Sequence, residues 1–375
     1  MRRRIKTESM RVGLRLAVGL MMSLFVLVLS NAQNVEGSHS HKGRFHKAKP
    51  LPCGYTITTH AVLYNDLDCS DHSGGPALTL GEGASLNLHG KRVIGNNGIN
   101  CIDITGDGSK VWNGTVMNCY YGIRVTSNRN EITQVGVHDN GRAGIYIEGG
   151  NNNKIDNSIV QNNGREGINI DTGSDNEGGK SNKIDRTIIL NNGREGIKID
   201  TGEGNEISRT IVDNNGRQGI HIEGGNSNKI DRTIVDNNGR HGIQIDGGEN
   251  NEISRSTVRG SCRDGIEIQG NNNLVFHNNV EDNGNLETCT NFTENYNPWA
   301  YAGIDVADVV SYSENNKIKY NYACGNQGCN GSEDEPCVAR DRNLWDEYVD
   351  IDGNHVLTNE WKNNTVCPEY SPSSL

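Results

Sequence analysis

A short motif returns at fixed intervals through the middle of this chain. Asn140-Gly141-Arg142-Ala143-Gly144-Ile145 reappears as Asn163-Gly164-Arg165-Glu166-Gly167-Ile168, then around Arg194, Arg217 and Arg240, and in degenerate form around Arg263. The steps are 23, 29, 23, 23 and 23 residues, and the longer one holds a six-residue insertion within 174–181. Such a period marks stacked units that cannot bury their apolar residues alone. Inside one unit, Asn228 to Val235 is followed by the turn Asn237-Asn238-Gly239, then Gly242-Ile243-Gln244-Ile245 and a second turn, Gly247-Gly248. Short β-branched runs alternating with polar residues between Gly and Asn are a strand pattern with period two, and each unit has room for about three strands. The leucine-rich frame is missing, and a propeller blade needs about 40–45 residues. A parallel β-solenoid with one turn per repeat remains.

Composition agrees. The chain has 47 Gly in 375 residues, is 5% aromatic and 33% hydrophobic, which is thin for a conventional core. Stacked isoleucines supply one instead. The glycines follow no three-residue period, which excludes collagen. The net charge of −11 argues against nucleic-acid binding by a basic face.

Residues 1–32 read as a secretory signal. Arg2, Arg3, Arg4, Lys6, Arg11 and Arg15 precede the apolar run Leu16 to Leu29, and Ser30-Asn31-Ala32 is a small-x-small cleavage site. Cleavage leaves no membrane span and takes the charge from −11 to about −16. An uncleaved signal anchor is the rival reading. The ten cysteines lie outside the regular repeats from 120 to 261, so they are expected to staple the two ends as disulfides, with Cys53–Cys69 a natural local pair. The expected location is extracellular or cell wall. Sequons stand at Asn113, Asn291, Asn330 and Asn363. The expected organisation is a basic His-rich linker at 33–50, an N-terminal cap at 51–80, repeats at 81–323 interrupted by a loop at 284–301, and a C-terminal coil and cap at 324–375.

The segments Cys53-Gly54-Tyr55-Thr56-Ile57-Thr58, Asn65-Asp66-Leu67-Asp68-Cys69 and Leu86-Asn87-Leu88-His89-Gly90-Lys91-Arg92-Val93-Ile94-Gly95 add a specific likeness. The chain resembles right-handed parallel β-helix proteins of the pectin-lyase-like superfamily, with repeats of the NosD-like, carbohydrate-binding-and-hydrolysis type, over about residues 53–355. The resemblance implies an all-β, single-stranded right-handed solenoid. It leaves activity open, because the superfamily includes lyases, hydrolases, epimerases, tailspikes and members without known catalysis.

The corresponding strand is expected at Ala77–Leu80, Cys101–Ile104, Gly122–Val125, Gly144–Ile147, Gly167–Ile170, Gly196–Ile199, Gly219–Ile222, Gly242–Ile245, Gly265–Ile268, Gly303–Val306 and Val349–Ile351. About eleven rungs at about 4.8 Å make a rod of roughly 50 Å. Alternation then sends Arg124, Tyr146, Asn169, Lys198, His221, Gln244, Glu267 and Asp305 outward as one column, either a binding groove or a solvated face. Beyond it runs an acidic column, Glu148, Asp171, Asp200, Glu223 and Asp246, ending in Gln269, and before it an arginine column, Arg142 to Arg263, with Glu166, Glu195 and Asp264 as neighbours. Alternating ion-pair ladders are the favoured reading of these columns. Calcium held by Asp171, Asp200, Glu223 and Asp246 is the functional alternative. Asn140, Asn163, Asn192, Asn215 and Asn238 are expected to form a turn ladder in left-handed backbone.

Lys198, His221 and His241 on consecutive rungs, with Tyr146 below, are the expected catalytic group. A cation beside a uronate carboxylate makes the neighbouring proton easier to remove, and His, Tyr or Lys can take it. By resemblance this is lyase or C5-epimerase chemistry, although the Asp-Pro-His-Asp motif of the alginate epimerases and the polygalacturonase sets are absent. Trp299 and Tyr301 in the 284–301 loop are expected to form a glycan platform, or else a lid on the cap. The chain is thus expected to engage extracellular polysaccharide as a monomer, with no certain cofactor. The alternative is a non-catalytic wall, matrix or adhesion protein.

Overall fold

The computed structural model describes residues 50–284 except 175 and 177, then 303–306, 315–324, 326–330, 338–341, 344–346 and 359–366. The signal at 1–32, all but residue 50 of the linker, all but residue 284 of the loop with Trp299 and Tyr301, and the strand expected at 349–351 lie outside the described residues. Among these residues there is no helix, hence none long and apolar enough to cross a membrane.

The expected strand builds one parallel sheet of twelve: Tyr55–Ile57, Leu78–Leu80, Ile102–Ile104, Ile123–Val125, Ile145–Glu148, Ile168–Asp171, Ile197–Asp200, Ile220–Glu223, Ile243–Asp246, Ile266–Gln269, Ile304–Val306 and Leu344–Asp346. Two differences from expectation lie at its ends. The segment 51–80 holds two of these strands, and Leu344–Asp346 pairs with Ile304–Val306. Neither end strand carries the Gly-Ile lead of the eight strands from Ile123–Val125 to Ile304–Val306.

Each coil adds two further short strands. Lys183–Asp185 and Ile188–Leu190 pair in parallel with Glu206–Ser208 and Ile211–Asp213 of the next coil. In two early coils they run together as Lys110–Met117 and Glu131–His138. The register pairs Asp171 with Asp200 and Ile155 with Ile184, so the six extra residues leave the sheets between Asp171 and Lys183. Alternation turns Ile168, Ile170, Ile197, Ile199, Ile220 and Ile222 inward, each fully buried. Each such side chain contributes about 1.5–3 kcal/mol relative to exposure, which is how a chain with few aromatics holds together.

The corners carry the polar ladders. Asn192 Oδ1 accepts from the backbone N of Asn163 (3.1 Å) and its Nδ2 (2.9 Å), while Asn192 Nδ2 donates to Asn215 Oδ1 (2.9 Å) and the Val160 carbonyl (3.4 Å). A second ladder runs through Asn130, Asn153, Asn182, Asn205, Asn228, Asn251 and Asn273. The left-handed backbone, however, belongs to the residue before each rung of the predicted ladder: Asp139, Asn162, Asn191, Asn214 and Asn237, with φ of 51–57°. The outward residue makes the turn and the inward Asn makes the ladder.

The glycine before the strands from Ile123–Val125 to Ile266–Gln269 is there for space. A Cβ on Gly167 would lie 2.6 Å from Ile189 Cγ2 and 2.7 Å from the Gly196 carbonyl oxygen. Gly167→Ala should therefore cost about 1–3 kcal/mol by overpacking, read as a lower denaturation midpoint; an unchanged midpoint refutes the close approach.

A column of charge climbs the second sheet, alternating except where Lys154 meets Lys183. Lys183 meets Glu206 and Lys229 meets Glu252, both at 2.9 Å. Cys53–Cys69 and Cys101–Cys119 are disulfides, the first as expected, and Cys262 and Cys324 are also oxidised.

Candidate functional site

Strand register brings the predicted column together. Asp103, Arg124, Tyr146, Asn169, Lys198, His221, Gln244, Glu267 and Asp305 are successive partners across the first sheet. One side chain per coil at about 4.8 Å makes a linear polar track. Beside it runs a column that sequence reasoning overlooked: Ala143, Glu166, Glu195, Gln218, His241 and Asp264, all buried. It holds the residue between the arginine and the glycine of each repeat, a position the motif itself marks.

The expected ladders of ion pairs form, with different partners. Arg194 reaches Glu166 (3.6 Å) and Arg217 reaches Glu195 (3.5 Å), each one coil back. Asp264 also lies 3.0 Å from His241 Nδ1. The acidic column pairs instead with cations of the track. Arg124 meets Glu148 at 2.6 Å, and Lys198 lies 3.1 Å from Asp200 and 2.7 Å from Glu223. Tyr146 donates to Asp171 at 3.2 Å. Asp246 lies 4.0 Å from His221 Nε2. Asp171, Asp200 and Glu223, three of the four carboxylates expected to hold calcium, thus have a side-chain partner from the track, and Asp246 lies near the His221 ring without a hydrogen bond to it.

Electrostatics separates the two histidines. Burial pushes His221 below its ordinary value of 6.5, and Lys198 acts in the same direction against Glu195, Glu223 and Asp246. Neither ring nitrogen has a hydrogen bond, and the residue is 8% exposed. His221 is therefore a buried neutral imidazole. Burial would lower His241 too, but Glu267 and Asp264 overcome it and hold the ring up, at about 9. For Lys198, hydrogen bonds to Glu223 and Asp200 outweigh burial and keep the ammonium charged. Burial, with the charges of Asp171 and Glu148, pushes the Tyr146 phenol up, so it stays protonated. Burial, then the guanidiniums of Arg263 and Arg217, pull Arg240 down. Arg217, Arg240 and Arg263 thus crowd one another along the arginine column.

Residues 80–233 and 177–365 match the family described as right handed beta helix region. The chain belongs to this family. No curated protein matches the sequence. The β-helix is similar in structure to the A-module of the Azotobacter vinelandii mannuronan C-5 epimerase AlgE6, with 13% identity, 84% of this chain and 85% of that one covered, and a TM-score of 0.58. It is also similar to the Dettilon tailspike protein, with 14% identity, 81% and 63% covered, and a TM-score of 0.57. At these identities the likeness is one of fold.

Along the β-helix the expected catalytic group divides. His221 sits one coil above Lys198 and one below Gln244, the track residue of the His241 coil. Tyr146 is three coils below His221, roughly 14 Å along the axis. That distance exceeds the two faces of one sugar, so Tyr146 and His221 do not serve one reacting centre. Tyr146 stacks instead on Tyr121, with centroids 4.8 Å apart, and Tyr120 meets Tyr121 edge-on at 4.9 Å. This tyrosine cluster went unnoticed in the sequence because Tyr120 and Tyr121 precede the strand and join Tyr146 only across a coil. At the other end of the track, Gln218 donates to Gln244, and Gln269 Nε2 donates to Glu267 at 2.6 Å.

Proposed function

We propose that the outer track of the first sheet binds an extended acidic polysaccharide and that His221 removes the C5 proton of a bound uronate. The observation that carries this is a neutral imidazole in the track, buried and without hydrogen bonds, with Lys198 one coil below it. Arg217, Arg240 and Arg263 supply positive potential for carboxylates spaced along a polymer, and a carboxylate so neutralised acidifies the adjacent C–H. His221 takes that proton, and the electron pair passes to the carboxylate. Return of a proton from the opposite face gives the C5 epimer; expulsion of the 4-linked oxygen gives a C4–C5 double bond. Both outcomes are redox-neutral. Lys198, held by Asp200 and Glu223, orders the track below the base, and Tyr146 with Tyr121 offers an aromatic surface for a sugar farther along. The same fold in a mannuronan epimerase supports the substrate class. The reading includes an extracellular or cell-wall setting, which the disulfides favour.

A non-catalytic binder is the second reading. Arg124 and Lys198 spend their charge on neighbouring carboxylates, and an acidic protein repels an anionic polymer. Incubation with polymannuronate and polygalacturonate in D2O separates the two. Deuterium at C5 or new unsaturated ends support catalysis, and binding with neither product refutes it. Arg240→Gln should raise KM about tenfold, the worth of one charge-assisted hydrogen bond, with kcat less affected; an unchanged KM removes the arginines from the site.

A further inference from the structure

One group in the described residues brings three metal-ligating side chains together. His241 stands just before the strand Ile243–Asp246. Asp264 and Glu267 belong to the next coil, before and within Ile266–Gln269. His241 Nδ1 lies 3.0 Å from Asp264 Oδ2 and 2.9 Å from Glu267 Oε2. The three are 6%, 2% and 7% exposed.

These contacts are close without being aligned. Neither His241 Nδ1 nor Glu267 Oε2 makes a hydrogen bond, although both are buried and adjacent. The ligand atoms converge on a common space, held there by the attraction between the ring and the two carboxylates rather than by aligned hydrogen bonds. Their separation is also that of ligands around an ion. Metal–nitrogen and metal–oxygen bonds of about 2.1 Å set at right angles leave adjacent donors about 3 Å apart. The outer oxygen of Glu267 is held by Gln269 Nε2 at 2.6 Å, the kind of supporting hydrogen bond that orients a carboxylate ligand.

We propose that His241, Asp264 and Glu267 form a binding site for one divalent transition-metal ion. One imidazole nitrogen and two carboxylate oxygens suit the range from Mn2+ to Zn2+, and the nitrogen selects against Ca2+, which takes oxygen ligands. The site is distinct from the four carboxylates of the acidic column and does not depend on the polysaccharide reading.

The test is calorimetric titration of the full chain, stripped by a chelator, with Mn2+, Co2+, Zn2+ and Ca2+. The expected result is one transition ion per chain, bound at least tenfold more tightly than Ca2+. Glu267→Gln and His241→Gln should each weaken binding at least about tenfold, while His221→Gln leaves it intact. Should His241→Gln fail to fold, Co2+ bound to the wild-type chain still reports its ligands through visible d–d absorption. No stoichiometric ion, Ca2+ bound equally well, or Glu267→Gln binding like wild type would each overturn the site. None of these outcomes bears on whether His221 acts on uronates.

Discussion

Asn192→Asp should destabilise the β-helix by about 3–5 kcal/mol at neutral pH, the cost of an uncompensated buried charge. The substitution changes one atom of the amide and almost no volume. Asn192 is 2% exposed, and its amide both accepts from Asn163 and donates to Asn215. A carboxylate can still accept from Asn163. Toward Asn215 it presents oxygen to oxygen, and its charge has no cation within the ladder. Burial raises the pKa of such a carboxyl above its unfolded value of about 3.9. The folded variant therefore binds a proton more tightly than the unfolded chain, and its stability falls as pH rises. The protonated acid can donate to Asn215, so part of the loss should return between neutral pH and pH 5. Denaturant titrations at both pH values check this, with wild type as reference. A variant as stable as wild type at neutral pH, or a gap that widens on acidification, rules the ladder out as a structural element. Asn192→Ala should fall in between, at about 1–3 kcal/mol for the groups left unpaired.

His221→Gln should lower turnover of a uronate polymer by about 10²–10⁴-fold, the usual share of a positioned general base, while the coil keeps its fold. Because burial pushes the ring below 6.5, the reactive neutral form prevails at neutral pH. The acid limb of kcat/KM should lie below pH 6.5 and the profile should be flat through neutrality. Stability follows the same sign. A depressed pKa contributes stability that is present above 6.5 and lost as the pH falls through the folded value, because the buried ring must then charge. An acid limb centred above pH 7, or full turnover in His221→Gln, would remove His221 from the chemistry.

The columns were legible because period two and a fixed repeat together determine which side chains share a face. Every member of the track from Arg124 to Asp305 lands in its expected register. What pairs with what across coils was less legible. The Asn doublets show why: Asn191 and Asn192 are chemically identical in the sequence, yet one takes φ 54° and the other a buried ladder position. Composition cannot say which. The contact of Asp264 with His241, a coil away, could not be read from its sequence neighbour, Arg263. The end strand Leu344–Asp346 was not expected: Asn343 stands where the strands from Ile123–Val125 to Ile304–Val306 carry glycine.

The alternating lysines and glutamates of the second sheet bear on how such a rod could change length. Removal of one 23-residue unit, 206–228, would set Lys183 against Lys229, although every isoleucine would still meet its counterpart. Loss of two units, 206–251, would again set Lys183 against a glutamate, Glu252, while Lys154 on its other side stays of like charge as it is now. Duplication and deletion along this stretch should accordingly be tolerated best in even numbers, so that the reach of the molecule grows or shrinks in steps of two turns.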